Sequence, residues 1–165
     1  MRSAIGVLAA LAAVALGGAG SAPPPGVAVF VQQVTERCVA TGGRPSTDAR
    51  FLQKTDINGD KLADWVLDEA ALTCAGGPPV DRTAPSQVMI FAGDQTGNAQ
   101  PVFQQGAYGV RLEKGAVWLA VRGPQCGRGV DPAQFCDRPL VWNRKAARPE
   151  FAPLTQARTP SRIRS

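Results

Sequence analysis

The stretch DINGDKLAD, residues 56–64, carries oxygen-bearing side chains at alternate positions and again at its ninth: Asp56, Asn58, Asp60 and Asp64. The main-chain carbonyl of Leu62 falls at position seven. Alternate residues of a tightly curled loop turn their side chains inward, and a hard cation such as Ca2+ takes about six to eight oxygens, so this spacing is that of a calcium loop. Asn58-Gly59 supplies the tight turn at its centre. The plain competitor is an Asx-rich turn that binds no metal, since Asp, Asn and Gly favour turns for local hydrogen-bonding reasons. Four spaced donors exceed what a turn requires, and a metal site is the expectation.

The flanks decide the kind of loop. An EF-hand needs helices on both sides and a bidentate Glu at position twelve, but that position is Leu67. Residues 50–54 (RFLQK) and 64–68 (DWVLD) are short, partly apolar runs suited to strands, so the loop is expected to cap a β-hairpin over 50–68. The run DINGDKLADWVL resembles the D-x-[DN]-x-D-G-x-x-D-hydrophobic loop of FG-GAP-type repeats, found in integrin-like β-propellers and in many bacterial secreted proteins. The resemblance covers those twelve residues alone. It implies Asp56, Asn58, Asp60 and Asp64 as side-chain ligands and Leu62 as a backbone ligand of a structural Ca2+. The chain departs from the pattern at position six, where Lys61 replaces Gly. A lysine is ill at ease in a left-handed conformation and adds positive charge beside the cation, which lowers the expected affinity. With one copy of the loop and no second period, a complete propeller is excluded.

Upstream, Val27, Phe30, Val31, Val34 and Cys38 recur at helical spacing, predicting an amphipathic helix over 26–40 that Gly42 and Gly43 end. Phe51, Trp65 and Leu67 of the hairpin are its expected packing partners. Downstream, 75–85 reads as a loop, 87–92 and 101–105 as strands, 108–113 and 116–122 as a hairpin around Lys114 and Gly115, and 139–143 as a last strand. Short strands joined by tight turns predict an α+β fold, the N-terminal helix packed on an antiparallel β-meander. Trp65, Trp118 and Trp142 each sit in an apolar strand segment and are expected in the core.

The four cysteines, Cys38, Cys74, Cys126 and Cys136, allow three pairings; Cys38 with Cys74 and Cys126 with Cys136 is preferred. The first would pin the helix to the end of the hairpin, and the second would close the loop GRGVDPAQF. A zinc site is disfavoured by the absence of His and of any C-x-x-C. Residues 1–22 have the charged start, apolar centre and small-residue end of a secretory leader, which directs the chain to a secreted or periplasmic location. A single domain then covers 23–153, and 154–165 is expected as a basic, disordered tail. The net charge of +5 is modest, and the tail has few aromatic residues for stacking, which argues against a nucleic-acid partner.

Without His, the usual general base and the Ser-His-Asp and Cys-His arrangements are missing. Asp68, Glu69, Asp131 and Asp137 are read as solvated loop residues rather than as a catalytic pair. The expected function is an exported, non-catalytic accessory or binding module with a structural Ca2+ and a protein or carbohydrate partner. Two alternatives stand beside it. One is a carboxylate-pair hydrolase of cell-wall or carbohydrate substrates, which needs two acids roughly 5 to 9.5 Å apart in a cleft. The other is a periplasmic inhibitor or partner-binding protein, which would show an exposed apolar patch, especially one with a tryptophan.

Overall fold

The computed structural model of the chain describes residues 22–78, 81 and 83–159. The expected leader lies outside the described residues apart from Ala22, as do Arg162 and Arg164. Helix α1 (Pro25–Ala40) begins with proline, whose missing N–H costs nothing in a first turn, and stops before Gly42, which takes φ 79°. Strands follow in order: β1 (Arg44–Thr47), β2 (Leu52–Thr55), β3 (Asp64–Asp68), β4 (Leu72–Ala75), β5 (Ser86–Gly93), β6 (Ala99–Ala107), β7 (Gly109–Glu113), β8 (Ala116–Arg122), β9 (Phe135–Asn143) and β10 (Arg148–Phe151).

The α+β reading holds, with one helix, antiparallel strands and two disulfides, but the strands do not form one meander. They divide into a sheet ordered β2-β3-β5-β6, a second ordered β10-β9-β8-β7, and a small β1-β4 pair. The reason lies in the pleat of β3 and β5. Trp65, Leu67, Met89 and Phe91 point to one face, where they pack with Val27, Val34 and Phe51. Val66, Val88 and Ile90 point to the other and pack against Val117, Leu119, Val121 and Leu140 of the second sheet. A sheet that is apolar on both faces needs a layer on each, so the molecule is helix, sheet, sheet. The strands β1, β4 and β10 escape sequence patterning because each is only four residues long and lacks a clear apolar alternation.

Both disulfides form as preferred, Cys38–Cys74 and Cys126–Cys136. The first joins the last turn of α1 to β4 and closes a span of 36 residues, worth about 2–4 kcal/mol through restriction of the unfolded chain. Two glycines make room for it: a Cβ at Gly43 would lie 2.3 Å from the Cys74 sulfur, and one at Gly77 2.7 Å from it.

Close backbone approach also fixes the sheet end next to the loop. A Cβ at Gly93 would stand 2.3 Å from the Ala63 carbonyl oxygen, a main-chain atom that cannot swing aside. Gly93→Ala is therefore expected to lower the unfolding free energy by about 1–3 kcal/mol. Urea denaturation would test this against Gly109→Ala, where the new methyl meets only the Ala120 Cβ at 3.8 Å and little change is expected.

Candidate functional site

Residues 56–63 join β2 to β3, and the pair Thr55↔Asp64 closes the hairpin beneath them. The loop is organised by its own acids. Asp56 accepts the N–H of Gly59 through Oδ1 at 2.7 Å and that of Lys61 through Oδ2 at 3.0 Å. Asn58 Oδ1 accepts from Asp60 N–H, Asp60 Oδ1 accepts from Leu62 N–H, both at 2.8 Å, and Asn58 Nδ2 donates to Asp60 Oδ2. These bonds curl the backbone so that Gly59 takes φ 78° and Lys61 φ 67°. Position six is thus left-handed despite its lysine, at a cost of about 1 kcal/mol relative to glycine.

The structure brings Asp56, Asn58 and Asp60 together on the exposed side of the loop and sets Asp64 apart. Asp64 is fully buried; its Oδ2 accepts the N–H of Ile57 at 2.8 Å, and its Oδ1 accepts that of Gly93 at 3.0 Å. Burial pushes its carboxyl above the ordinary value, and the nearby Asp60 charge adds to the push, while the N–H groups of Gly93, Ile57 and Asn58 oppose it. Asp64 therefore ties the loop to β5. Each carboxylate oxygen has two lone pairs, so these bonds leave acceptor capacity toward the loop. Among the described residues, no three His, Cys, Asp or Glu side chains are gathered as a metal site; Asn58 and the Leu62 carbonyl are outside such a count.

Of the other acids read as solvated loop residues, Asp131 is exposed in a loop as expected, and the rest depart from that reading. Asp68 and Asp137 are buried, at 3 % and 6 % exposure, and are not solvated. Asp68 caps the short 3-10 turn Glu69–Ala71 by accepting the Ala70 N–H, and Asp137 pairs with Arg111 at 3.1 Å. Glu69 is held by Arg37 at 2.7 Å. Asp64 and Asp68 occupy the two ends of one strand, their Cα atoms roughly 13 Å apart at about 3.3 Å per residue. Among the described residues lining the cleft beside the loop, Asp94 is the one carboxylate.

Trp65 and Trp118 are buried as expected, and Trp142 is half-buried. Trp118 lies on the outer face of the second sheet, covered by the guanidinium groups of Arg158 and Arg111 at 4.3 and 5.6 Å from its ring centroid. The described part of the expected tail is thereby fixed: Leu154–Gln156 forms a 3-10 turn, and Arg158 bridges to Asp137. The exposed large hydrophobics among the described residues are Val29, Val39, Val141 and Leu154, none of them a tryptophan. No helix among the described residues is long and apolar enough to cross a membrane. Two disulfides fit an oxidising, extracellular or periplasmic compartment. Compared with protein-family models, curated proteins and solved structures, the chain matches none.

Burial raises the Asp68 carboxyl above its ordinary 3.8, so the folded state binds that proton more readily than the unfolded chain. The ionised form is a net cost at neutral pH, and the cost fades as pH falls through the raised value. Asp68→Asn keeps an oxygen for the Ala70 N–H and removes the charge. The variant should match or exceed the parent's stability near pH 7 and lose that advantage as pH falls toward about 4, read from urea midpoints across that range.

Proposed function

We propose that the chain is an exported, non-catalytic accessory or binding domain whose loop at 56–64 holds a structural Ca2+. The observation that carries this reading is the left-handed backbone of Lys61, φ 67°, at the loop position where calcium loops favour glycine. The resemblance to the FG-GAP-type loop gives the donor set: Asp56, Asn58 and Asp60 through side chains, Leu62 through its carbonyl, and Asp64 from the buried side. The donors suit a hard cation, being all oxygen and mostly anionic. Asp60 and Asp64 repel one another in the metal-free loop, and a cation between them would relieve that repulsion.

The ion's role in this reading is stability. At about millimolar calcium and a Kd of order 10⁻⁴ M, binding adds about 1.4 kcal/mol to the folded state. That corresponds to a rise in melting temperature of roughly 2–8 °C. The test is thermal unfolding of the oxidised chain in excess EDTA and then in calcium, with magnesium as control. A rise with calcium that Asp60→Ala abolishes supports the site; an equal rise in the variant, or none in the parent, rejects it.

Lys61 offers a second check. Lys61→Gly removes both the strained Cβ and a positive charge beside the donors, so calcium should bind about tenfold more tightly by isothermal titration. An unchanged affinity would show that position six does not shape the site.

A further inference from the structure

At the tip of the 56–64 loop an asparagine is followed directly by a glycine, Asn58-Gly59. The side-chain carbonyl carbon of Asn58 is linked to the Gly59 nitrogen through Cβ, Cα and the main-chain carbonyl carbon, so attack by that nitrogen closes a five-membered ring. Such proximity turns a slow bimolecular reaction of an amide into an intramolecular one. A side chain on the residue that supplies the nitrogen ordinarily crowds the ring. Gly59 has none, it is exposed, and a Cβ placed on it would have nothing within 4 Å, so the ring closes into open space.

The hydrogen bonds of the loop act on the reacting atoms themselves. Asn58 Oδ1 accepts the Asp60 N–H at 2.8 Å, which polarises the side-chain carbonyl and sets a donor where its oxygen becomes an oxyanion. The leaving nitrogen, Asn58 Nδ2, donates to Asp60 Oδ2 at 2.8 Å. The attacking nitrogen donates its hydrogen to Asp56 Oδ1 at 2.7 Å, a charge-assisted bond that leaves electron density on the nitrogen. An amide nitrogen attacks through the face of its plane, and a bond along N–H leaves that face free.

We infer that Asn58 is a self-modifying residue of the folded protein, losing its side-chain amide without an enzyme to become aspartate or isoaspartate. The Gly59 nitrogen gives its proton to a solvent base and bonds to the Asn58 side-chain carbon. The bond from that carbon to Nδ2 breaks, and Nδ2 takes a proton from water and leaves as ammonia. Water then opens the cyclic imide, at the main-chain carbonyl to give isoaspartate or at the side-chain carbonyl to give aspartate. In sum one water is taken up and one ammonia released, with no oxidant or cofactor. Both products add a negative charge among Asp56, Asp60 and Asp64. Isoaspartate also inserts a methylene into the main chain between Asp56 and Gly59, which a hydrogen bond joins. The inference does not rest on the calcium reading, since the reaction needs only the chain and water.

The experiment incubates the oxidised chain in EDTA at mildly alkaline pH, folded in one series and unfolded in urea in another. Samples are digested at acidic pH, and the peptide carrying residue 58 is followed by mass spectrometry, with isoaspartate read from labelling by an isoaspartyl methyltransferase. Asn98 and Asn143, followed by Ala99 and Arg144, are the internal references. The expected result is a first-order exchange of ammonia for water at Asn58 in the folded chain, isoaspartate among the products, at no less than about one-tenth of the rate in urea. Gly59→Ala should slow the reaction about tenfold or more in urea as well as in buffer, which separates crowding of the ring from any disturbance of the folded loop. The inference is overturned if the folded chain reacts more slowly than that fraction of the unfolded rate, if Asn98 or Asn143 reacts as fast as Asn58, or if Gly59→Ala matches the parent.

Discussion

The structure depends on a strand that has no solvent-facing side. All five residues of β3, Asp64–Asp68, are buried, three of them apolar and two of them acids. A strand of this kind needs a layer above it and a layer below it, and the helix and the second sheet supply them. Its terminal carboxylates are tolerated because backbone N–H groups reach them: Ile57 and Gly93 at Asp64, Ala70 at Asp68. Burial without those donors would cost far more than the apolar contacts of one strand return.

The loop and the core are consequently not separate matters. Asp64 holds the base of the loop to β5, and Gly93 permits that approach because it has no side chain to collide with Ala63. The next residues form the β5–β6 turn, whose Asn98 receives the first turn of α1. One hydrogen-bonded line therefore runs from the loop through the sheet end to the helix. Any force that reshapes residues 56–63 acts on an already anchored frame, which suits a structural rather than a mobile role.

Much of this was legible in the residues. The helix was readable from Val27, Val34 and Cys38, the hairpin from the apolar runs on either side of DINGDKLAD, and the preferred disulfide pairing from the elements each bond would join. Two layers in place of one meander were not, because a strand buried on both faces shows a continuous apolar run that periodicity cannot assign to either side. The burial of Asp137 was hidden for another reason: its partner Arg111 comes from a distant segment, and no local pattern announces the pair. The same holds for the cleft. Lys54 and Asp94 are brought to one place by strand pairing, and sequence offers no spacing that would connect them.

The way the two larger sheets are threaded sets an order of assembly. Each takes its strands in chain order, the first skipping β4, and β7 to β10 pair strictly in sequence. Their loops close at small entropic cost, so both can form early from local contacts. The β1-β4 pair is different: its strands are separated by the whole hairpin that carries the loop, and they meet only after that hairpin has folded back. Cys38 and Cys74 bond beside that pair, with Gly43 and Gly77 close around the Cys74 sulfur. In this chain the long-range disulfide thus marks the overall topology: it joins the helix to a strand whose pairing partner lies on the far side of the loop-bearing hairpin.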